Sequence, residues 1–401
     1  MRTEEVMKVD AQQVLCFVLI LLAPLAAAGL ALMNTGLGRS RSAAHTMLAS
    51  LCMFSVAALA YLFCGYAIQN YPAGSLLLVG VKFDGSPVSL GILLSMLSAG
   101  VGAMIPLGAG ADRWRLSACC YSAALFGGVT FPLFAHWVWN SGWLAKAGFL
   151  DTGGASTMHV SGGMAALSVA WLLGPRRGKY VDGLPAALPG HDVVLVILGC
   201  LLALVGWLGL NCAGAILYNR ADSGAVVLVA VNTVLAAAAA TLAAAVVTRA
   251  RYNRPDASLC ANGWTGGLVA GSAIAGFANP LAAALIGLIA GALVAVSVEM
   301  LDLRLSLDDP GGAISVHGMA GIWGLLSVSF FAHGNWLAQI AGIATLLGFV
   351  FPISYGADWL LAICHRLRVA PEGERTGMDL HELGAGAYPD FVTHHDDLFS
   401  R

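Results

Sequence analysis

Residues 151–165 read Asp151-Thr152-Gly153-Gly154-Ala155-Ser156-Thr157-Met158-His159-Val160-Ser161-Gly162-Gly163-Met164-Ala165: an aspartate, a histidine eight residues on, then small side chains, all inside a strongly apolar run. The unit returns in the other half of the chain, where Asp309 precedes His317 by eight residues and Gly318-Met319-Ala320-Gly321 follows. An ionisable side chain deep in such a run is costly to place in lipid and reads as part of a pathway rather than as packing. A duplicated constellation also points to a structural repeat, the device by which many transport proteins set a site between two halves. Either histidine alone would pass for a satisfied core residue; the matched pair argues for a shared site.

Working outward, the rest of the chain has the composition of a membrane protein. Of 401 residues, 58% are hydrophobic and 10% charged, against roughly a quarter charged in soluble domains. Eleven apolar segments follow one another at about 11–34, 46–70, 88–110, 116–139, 155–174, 191–213, 223–248, 258–277, 281–301, 312–332 and 338–364. Only helices satisfy the backbone in lipid at this apolar density, and the period-2 pattern of a membrane barrel is absent. The 49 glycines suit close helix contacts through small-residue faces. The expected fold is therefore an all-α polytopic membrane protein of eleven transmembrane helices. It divides into a membrane domain, residues 1–366, and a cytoplasmic tail, residues 367–401.

Several function classes fall away. A net charge of −2 favours no nucleic-acid partner. The nine cysteines, at 16, 52, 64, 119, 120, 200, 212, 260 and 364, lie in or beside apolar segments without CxxC or metal-type spacing, so they read as small hydrophobes. No GxxxxGK[ST] loop suggests ATP-driven pumping. Outside the histidine pair no nucleophile–base constellation suggests an enzyme, and nothing calls for a cofactor or a bound metal. The His394-His395-Asp396-Asp397 run reads as a polar chain end before it reads as a metal site.

Basic residues set the orientation. With the N-terminus outside, one face holds fifteen: Arg39, Arg41, Arg113, Arg115, Arg176, Arg177, Lys179, Arg249, Arg251, Arg254, Arg304, Arg366, Arg368, Arg375 and Arg401. The other holds five: Arg2, Lys8, Lys82, Lys146 and Arg220. The positive-inside rule then places the tail in the cytoplasm. Leu15 to Ala28 resembles a signal-peptide core with its small-residue cleavage site, but the flank before it is not basic while Arg39 and Arg41 follow it. It is read as a span.

These residues carry a resemblance. Phe63-Cys64-Gly65-Tyr66, Ala111-Asp112-Arg113, Ala135-His136-Trp137-Val138-Trp139, Gly206-Trp207-Leu208-Gly209-Leu210-Asn211 and Val231-Asn232-Thr233-Val234 occur in order. Asp308-Asp309-Pro310 and Ser315-Val316-His317-Gly318-Met319-Ala320-Gly321-Ile322-Trp323-Gly324 complete the series. From about residue 11 to Tyr388 the chain resembles the ammonium transporter family, Amt/Mep/Rh, as a divergent prokaryotic Amt-like member. The resemblance implies a homotrimer in the inner cell membrane with one pore per subunit. Each subunit would be two inverted five-helix repeats plus a long last helix, with proline 310 in the first turn of the tenth.

It also assigns roles. His159 and His317 would be the twin histidines of the pore, their rings sharing a hydrogen bond, guiding ammonia or relaying its proton; neutral imidazole both accepts and donates. Ammonium carries a large dehydration cost that ammonia does not. Asp151 would shape the outer recruitment site by accepting backbone N–H bonds at a helix start, and Asp309 would be its cytoplasmic counterpart. Trp139 matches the vestibule tryptophan that attracts a cation, a role an interfacial belt residue would mimic. Trp207 matches a pore-adjacent tryptophan and reads as packing.

The outer mouth departs from the family pattern. The two stacked phenylalanines that usually close it fall on Ser98 and Leu210, a nearby aromatic becomes Leu94, and the serine that binds the cation becomes Gly214. Segment 88–110 contains no aromatic at all. Transport of ammonium or ammonia, and of methylammonium, is the first expectation. A membrane ammonium sensor signalling through its tail is the alternative, favoured by the stripped mouth. The tail run Pro371-Glu372-Gly373-Glu374-Arg375-Thr376-Gly377-Met378-Asp379 resembles the family's regulatory tail, which couples subunits and, in bacteria, lies on the face that binds trimeric PII signalling proteins.

Overall fold

The structure, a computed structural model, describes residues 10–140 and 142–388. Its helices follow the apolar segments: α1 Ala11–Leu37, α2 Ser40–Gln69, α3 Pro87–Gly110, α4 116–138, α5 155–173, α6 Val193–Asn219, α7 Ser223–Tyr252, α8 Ala257–Ile274, α9 Pro280–Leu305, α10 Ile314–Phe331 and α11 Trp336–Cys364. Among the described residues nine helical stretches are long and apolar enough to cross a membrane. The helices at 155–173 and Ala257–Ile274 are not among them. Histidine, asparagine, serine and glycine dilute their apolar content, and they lie in the interior rather than against lipid.

Caps and breaks follow local chemistry. Asp192, Asp222, Asp256 and Asn279 each accept the backbone N–H three residues on, starting α6, α7, α8 and α9. In α1 the rod bends at Leu21–Ala23, because Pro24 has no N–H to give and the chain closes tighter turns there, such as Leu25 N–H to the Leu22 carbonyl. Strands β1 Tyr180–Val181 and β2 Leu184–Pro185 form a hairpin that the sequence reading missed. Asp182 and Gly183 both take positive φ, as a two-residue turn of this hand demands.

Among the rods, α1 lies along α6 and α5 packs against α10. The second contact explains the small residues after each histidine. A Cβ placed on Gly163 would lie 2.5 Å from the Gly318 amide nitrogen, so the two backbones meet with no side chain between them. Leu51, Leu201, Leu242 and Val246 point outward, exposed, as a lipid-facing shell requires.

One end of the bundle is tied by a buried ionic cluster. The Arg176 guanidinium donates to both Asp308 carboxylate oxygens, at 2.9 and 3.0 Å, and to Asp112 at 2.9 Å. Arg113, wholly buried, donates to the carbonyls of Gly174, Ala111 and Asp308. The Arg39 amide donates to Asp112. Burial alone would raise the Asp308 carboxyl, but hydrogen bonds and charge from Arg176, with Arg113 beside it, hold it below the ordinary carboxylate value. Burial also brings the Arg113 guanidinium down to about 10. The cluster joins loops between α1 and α2, α3 and α4, α5 and α6, and α9 and α10.

Candidate functional site

Both histidines sit on π-turns. Residues Ala155–Val160 and Ile314–Met319 are wound with one residue more per turn than an α-helix, and the His159 amide bonds back five residues to the Gly154 carbonyl at 3.2 Å. Each turn hangs from its aspartate. Asp151 accepts the amides of Gly154, Ala155 and Ser156 at 3.0, 2.9 and 2.7 Å, and the Ser156 hydroxyl at 2.5 Å. Asp309 accepts those of Ala313 and Ile314 at 2.9 and 2.7 Å. The spacing of eight residues is thus the length of a cap plus a π-turn. Pro310 corrects one expectation: it lies in the turn before the helix, whose first residues are Ala313 and Ile314, rather than in its first turn.

The two rings meet in the interior, His159 at 0% and His317 at 2% exposure. Their centroids are 5.2 Å apart with planes 24° from parallel, and Trp207 stacks on His159 at 4.9 Å and 4°. The expected hydrogen bond between the imidazoles is not formed: among the described residues both nitrogens of His159 and Nδ1 of His317 have no hydrogen-bond partner. The His159 ring is held flat against the Trp207 indole, and the His317 ring lies beyond hydrogen-bond reach of it. Trp207 therefore packs directly on one member of the pair, His159.

The mouth residues are placed as follows. Trp139 and Asp151 are joined, the indole Nε1 donating to the Asp151 carbonyl at 3.1 Å. Leu94 and Leu210 belong to the main apolar core, and Ser98 is buried on α3. Gly214 packs so closely that a Cβ there would lie 2.6 Å from the Thr152 carbonyl oxygen. A serine hydroxyl therefore has no room at this position while α5 starts where it does. Sequence reasoning missed Tyr218, which stacks on Trp139, and Ser95, which its hydroxyl approaches. The resemblance points to Ser98 and Leu94 on the same helix, and only the rotation of α3 shows that Ser95 faces Tyr218.

It also missed His45. The tail packs along one end of the bundle through three carboxylates. Glu374 accepts from Arg368 and from the Arg177 amide, Asp379 from the amides of Ala44 and His45, and Glu382 from the Leu116 amide. Glu382 also lies 2.9 Å from His45 Nε2 and 3.3 Å from Arg115. Burial opposes the charged form of Glu382, yet His45, the Leu116 amide and Arg115 bring its carboxyl down to about 2 from an ordinary 4.5. A depressed carboxyl stabilises the docked tail above its ordinary pKa and loses that contribution on acidification. Docking should hold from neutral pH to about 4.5 and weaken as pH falls towards 2. Pepsin cleavage within 371–388 should rise across that window, and Glu382→Gln should quicken hydrogen exchange there at pH 7. Unchanged exchange would mean that Glu374 and Asp379 hold the tail without it.

Among the described residues no group of three or more His, Cys, Asp or Glu side chains is arranged to hold a metal ion. The His394–Asp397 run lies outside the described residues.

Fold and composition define a multi-pass helical membrane protein. The sequence pattern of the Ammonium Transporter Family matches residues 13–388. The chain is 33% identical to Ammonium transporter Amt2 of Archaeoglobus fulgidus, over 92% of this chain and 86% of that one. It is 30% identical to an Ammonium transporter of Bacillus subtilis, over 94% and 98%. Among solved structures, a Sensor Amt Protein superposes with a TM-score of 0.85 at 29% identity, covering 92% of this chain and 98% of that one. Candida albicans Mep2 superposes with 0.81 at 25%, covering 96% and 93%. The chain belongs to the ammonium transporter family, whose members named here are transporters and a sensor rather than enzymes.

Proposed function

We propose that this protein carries ammonium or ammonia across the inner cell membrane through a pore centred on His159 and His317. The observation that carries the reading is the buried, stacked histidine pair with unpartnered ring nitrogens. Buried polar groups are ordinarily hydrogen-bonded, so nitrogens left open inside an apolar bundle suit a small hydrogen-bonding solute that passes and leaves. Among the described residues the Thr157 and Ser315 hydroxyls on the same two π-turns also have no partner, which adds to the polar lining.

In this reading eleven helices cross the membrane with the N-terminus outside, residues 1–366 forming the membrane domain and residues 367–401 a cytoplasmic regulatory tail. Trp139 draws the cation at the outer mouth, Asp151 holds the start of α5 and biases the field there toward cations, and Asp309 does the same on the cytoplasmic side. Trp207 fixes the His159 ring. Three copies assemble, and the ion-paired tail offers a face for a PII-type partner. Methylammonium is the natural substitute substrate.

The test is the current on proteoliposomes after an ammonium jump, comparing wild type with His159→Ala and His317→Ala. A saturable, protein-dependent transient lost or altered in both variants supports the reading; no current from folded protein sinks electrogenic transport. A second reading, ammonium sensing with little flux, is favoured by the likeness to the structure titled Sensor Amt Protein and by the missing vestibule groups at Ser98, Leu210 and Gly214.

A further inference from the structure

Tyr218 ends α6 one turn beyond Gly214, and its ring lies flat on Trp139, with centroids 4.1 Å apart and planes 4° from parallel. Each ring is also held from behind. Trp139 donates through Nε1 to the Asp151 carbonyl at 3.1 Å, and Phe131 stands edge-on to it at 6.4 Å. The Tyr218 hydroxyl is 3.3 Å from Ser95 Oγ, which accepts from Gln69 Nε2 at 3.0 Å. Gln69 Oε1 in turn accepts from the Tyr61 hydroxyl at 2.9 Å. Ser95, Gln69 and Tyr61 are buried, so this chain of hydrogen bonds is a fixed rear anchor.

A cation is attracted to the face of an indole, where the ring quadrupole is negative. A parallel ring at 4.1 Å covers that face. Ring stacking is a weak attraction, so the stack is held by packing and by the Ser95 contact and can be displaced. We propose that Tyr218 is the outer gate: its ring covers the Trp139 face at rest, swings off to admit a cation, and sets recruitment affinity through the Tyr61–Gln69–Ser95 anchor. The proposal deepens the reading of Trp139 as the recruiting residue and rests on it. It also accounts for the mouth that Ser98 and Leu210 leave without phenylalanine: a ring delivered from the end of α6 closes it instead.

The test is an ammonium chloride titration by calorimetry of the full chain in detergent, run beside the liposome currents. It compares wild type, Tyr218→Phe, Tyr218→Ala, and Tyr218→Ala combined with Trp139→Leu, each matched to wild type in elution and helical content. Tyr218→Ala should tighten binding about two- to fivefold, the factor that a partly exposed cation–π contact supplies. Tyr218→Phe, which keeps the stack but loses the anchor, should gain less, and the gain should vanish with Trp139→Leu. Binding unchanged or weaker in both Tyr218 variants overturns the gate, as does a gain that survives Trp139→Leu or no detectable binding in any of the four proteins. The two readings fail separately. No wild-type current with this binding pattern intact removes transport and leaves the gate; current with unaltered binding removes the gate and leaves transport.

Discussion

Arg176→Ala should lower folding stability by about 3–5 kcal/mol, the usual cost of stripping one partner from a buried ion network. The guanidinium bridges Asp308 and Asp112, and both carboxylates are buried. Its removal leaves two negative charges with Arg113, which reaches Asp308 only at 3.8 Å, and with the more exposed Arg39. The cluster joins loops from four parts of the chain, so the loss should appear as global unfolding rather than local fraying. A drop of about 5–10 °C in the thermal midpoint of purified protein in detergent is the corresponding readout. Arg176→Lys should recover part of it, because an ammonium cannot form the paired contact with Asp308 that a planar guanidinium does. An unchanged midpoint in Arg176→Ala would show that Arg113 and Arg39 suffice.

The second large effect belongs to Asp151. Alanine there leaves three backbone amides and the Ser156 hydroxyl without an acceptor in a buried site, and unsatisfied groups of this kind cost about 1–3 kcal/mol each. Not all of that will be lost, since the turn can relax, but about 3 kcal/mol or more is expected. Asparagine should rescue only in part. Its one carbonyl oxygen can serve Gly154 and Ala155, while its NH2 faces the Ser156 amide, donor against donor. Thermal midpoints of the two variants, with Asn above Ala and both below wild type, check this; equal midpoints for all three would remove Asp151 as the anchor of α5.

Much of the fold was legible because apolar density in lipid admits one backbone solution. Segments such as 88–110 and 281–301 needed no further information to be read as helices. The histidine pair was legible for a similar reason, since His159 and His317 are conspicuous where ionisable groups are costly. What could not be read was rotation and rear contacts. Ser95 and Ser98 lie about 60° apart on one side of α3, and no pattern in the helix says which of them meets α6. Trp207 looked like packing because nothing in its own segment refers to His159. His45 could not be singled out because its partner Glu382 lies 337 positions away. The bend before Pro24 was available from the proline itself, and the Asp182-Gly183 hairpin from its turn dipeptide; both were overshadowed by the length of the apolar runs around them.

The π-turns have a consequence for how this chain tolerates gaps. Each holds one residue of slack that a regular helix would not need, and one residue is worth about 100° of rotation. Deleting Thr157 would let 155–173 wind as an ordinary α-helix with the residues before and after the cut still in phase, since only the slack is removed. Asp151 over the amides of the first turn and His159 against Trp207 could then both be kept, whereas the same cut in a regular helix would turn one away from the other by that angle. The same holds for Ser315 in the second unit. A helical wheel drawn through either segment misdirects every side chain beyond the turn, and the two halves share this irregularity as well as their aspartate and histidine.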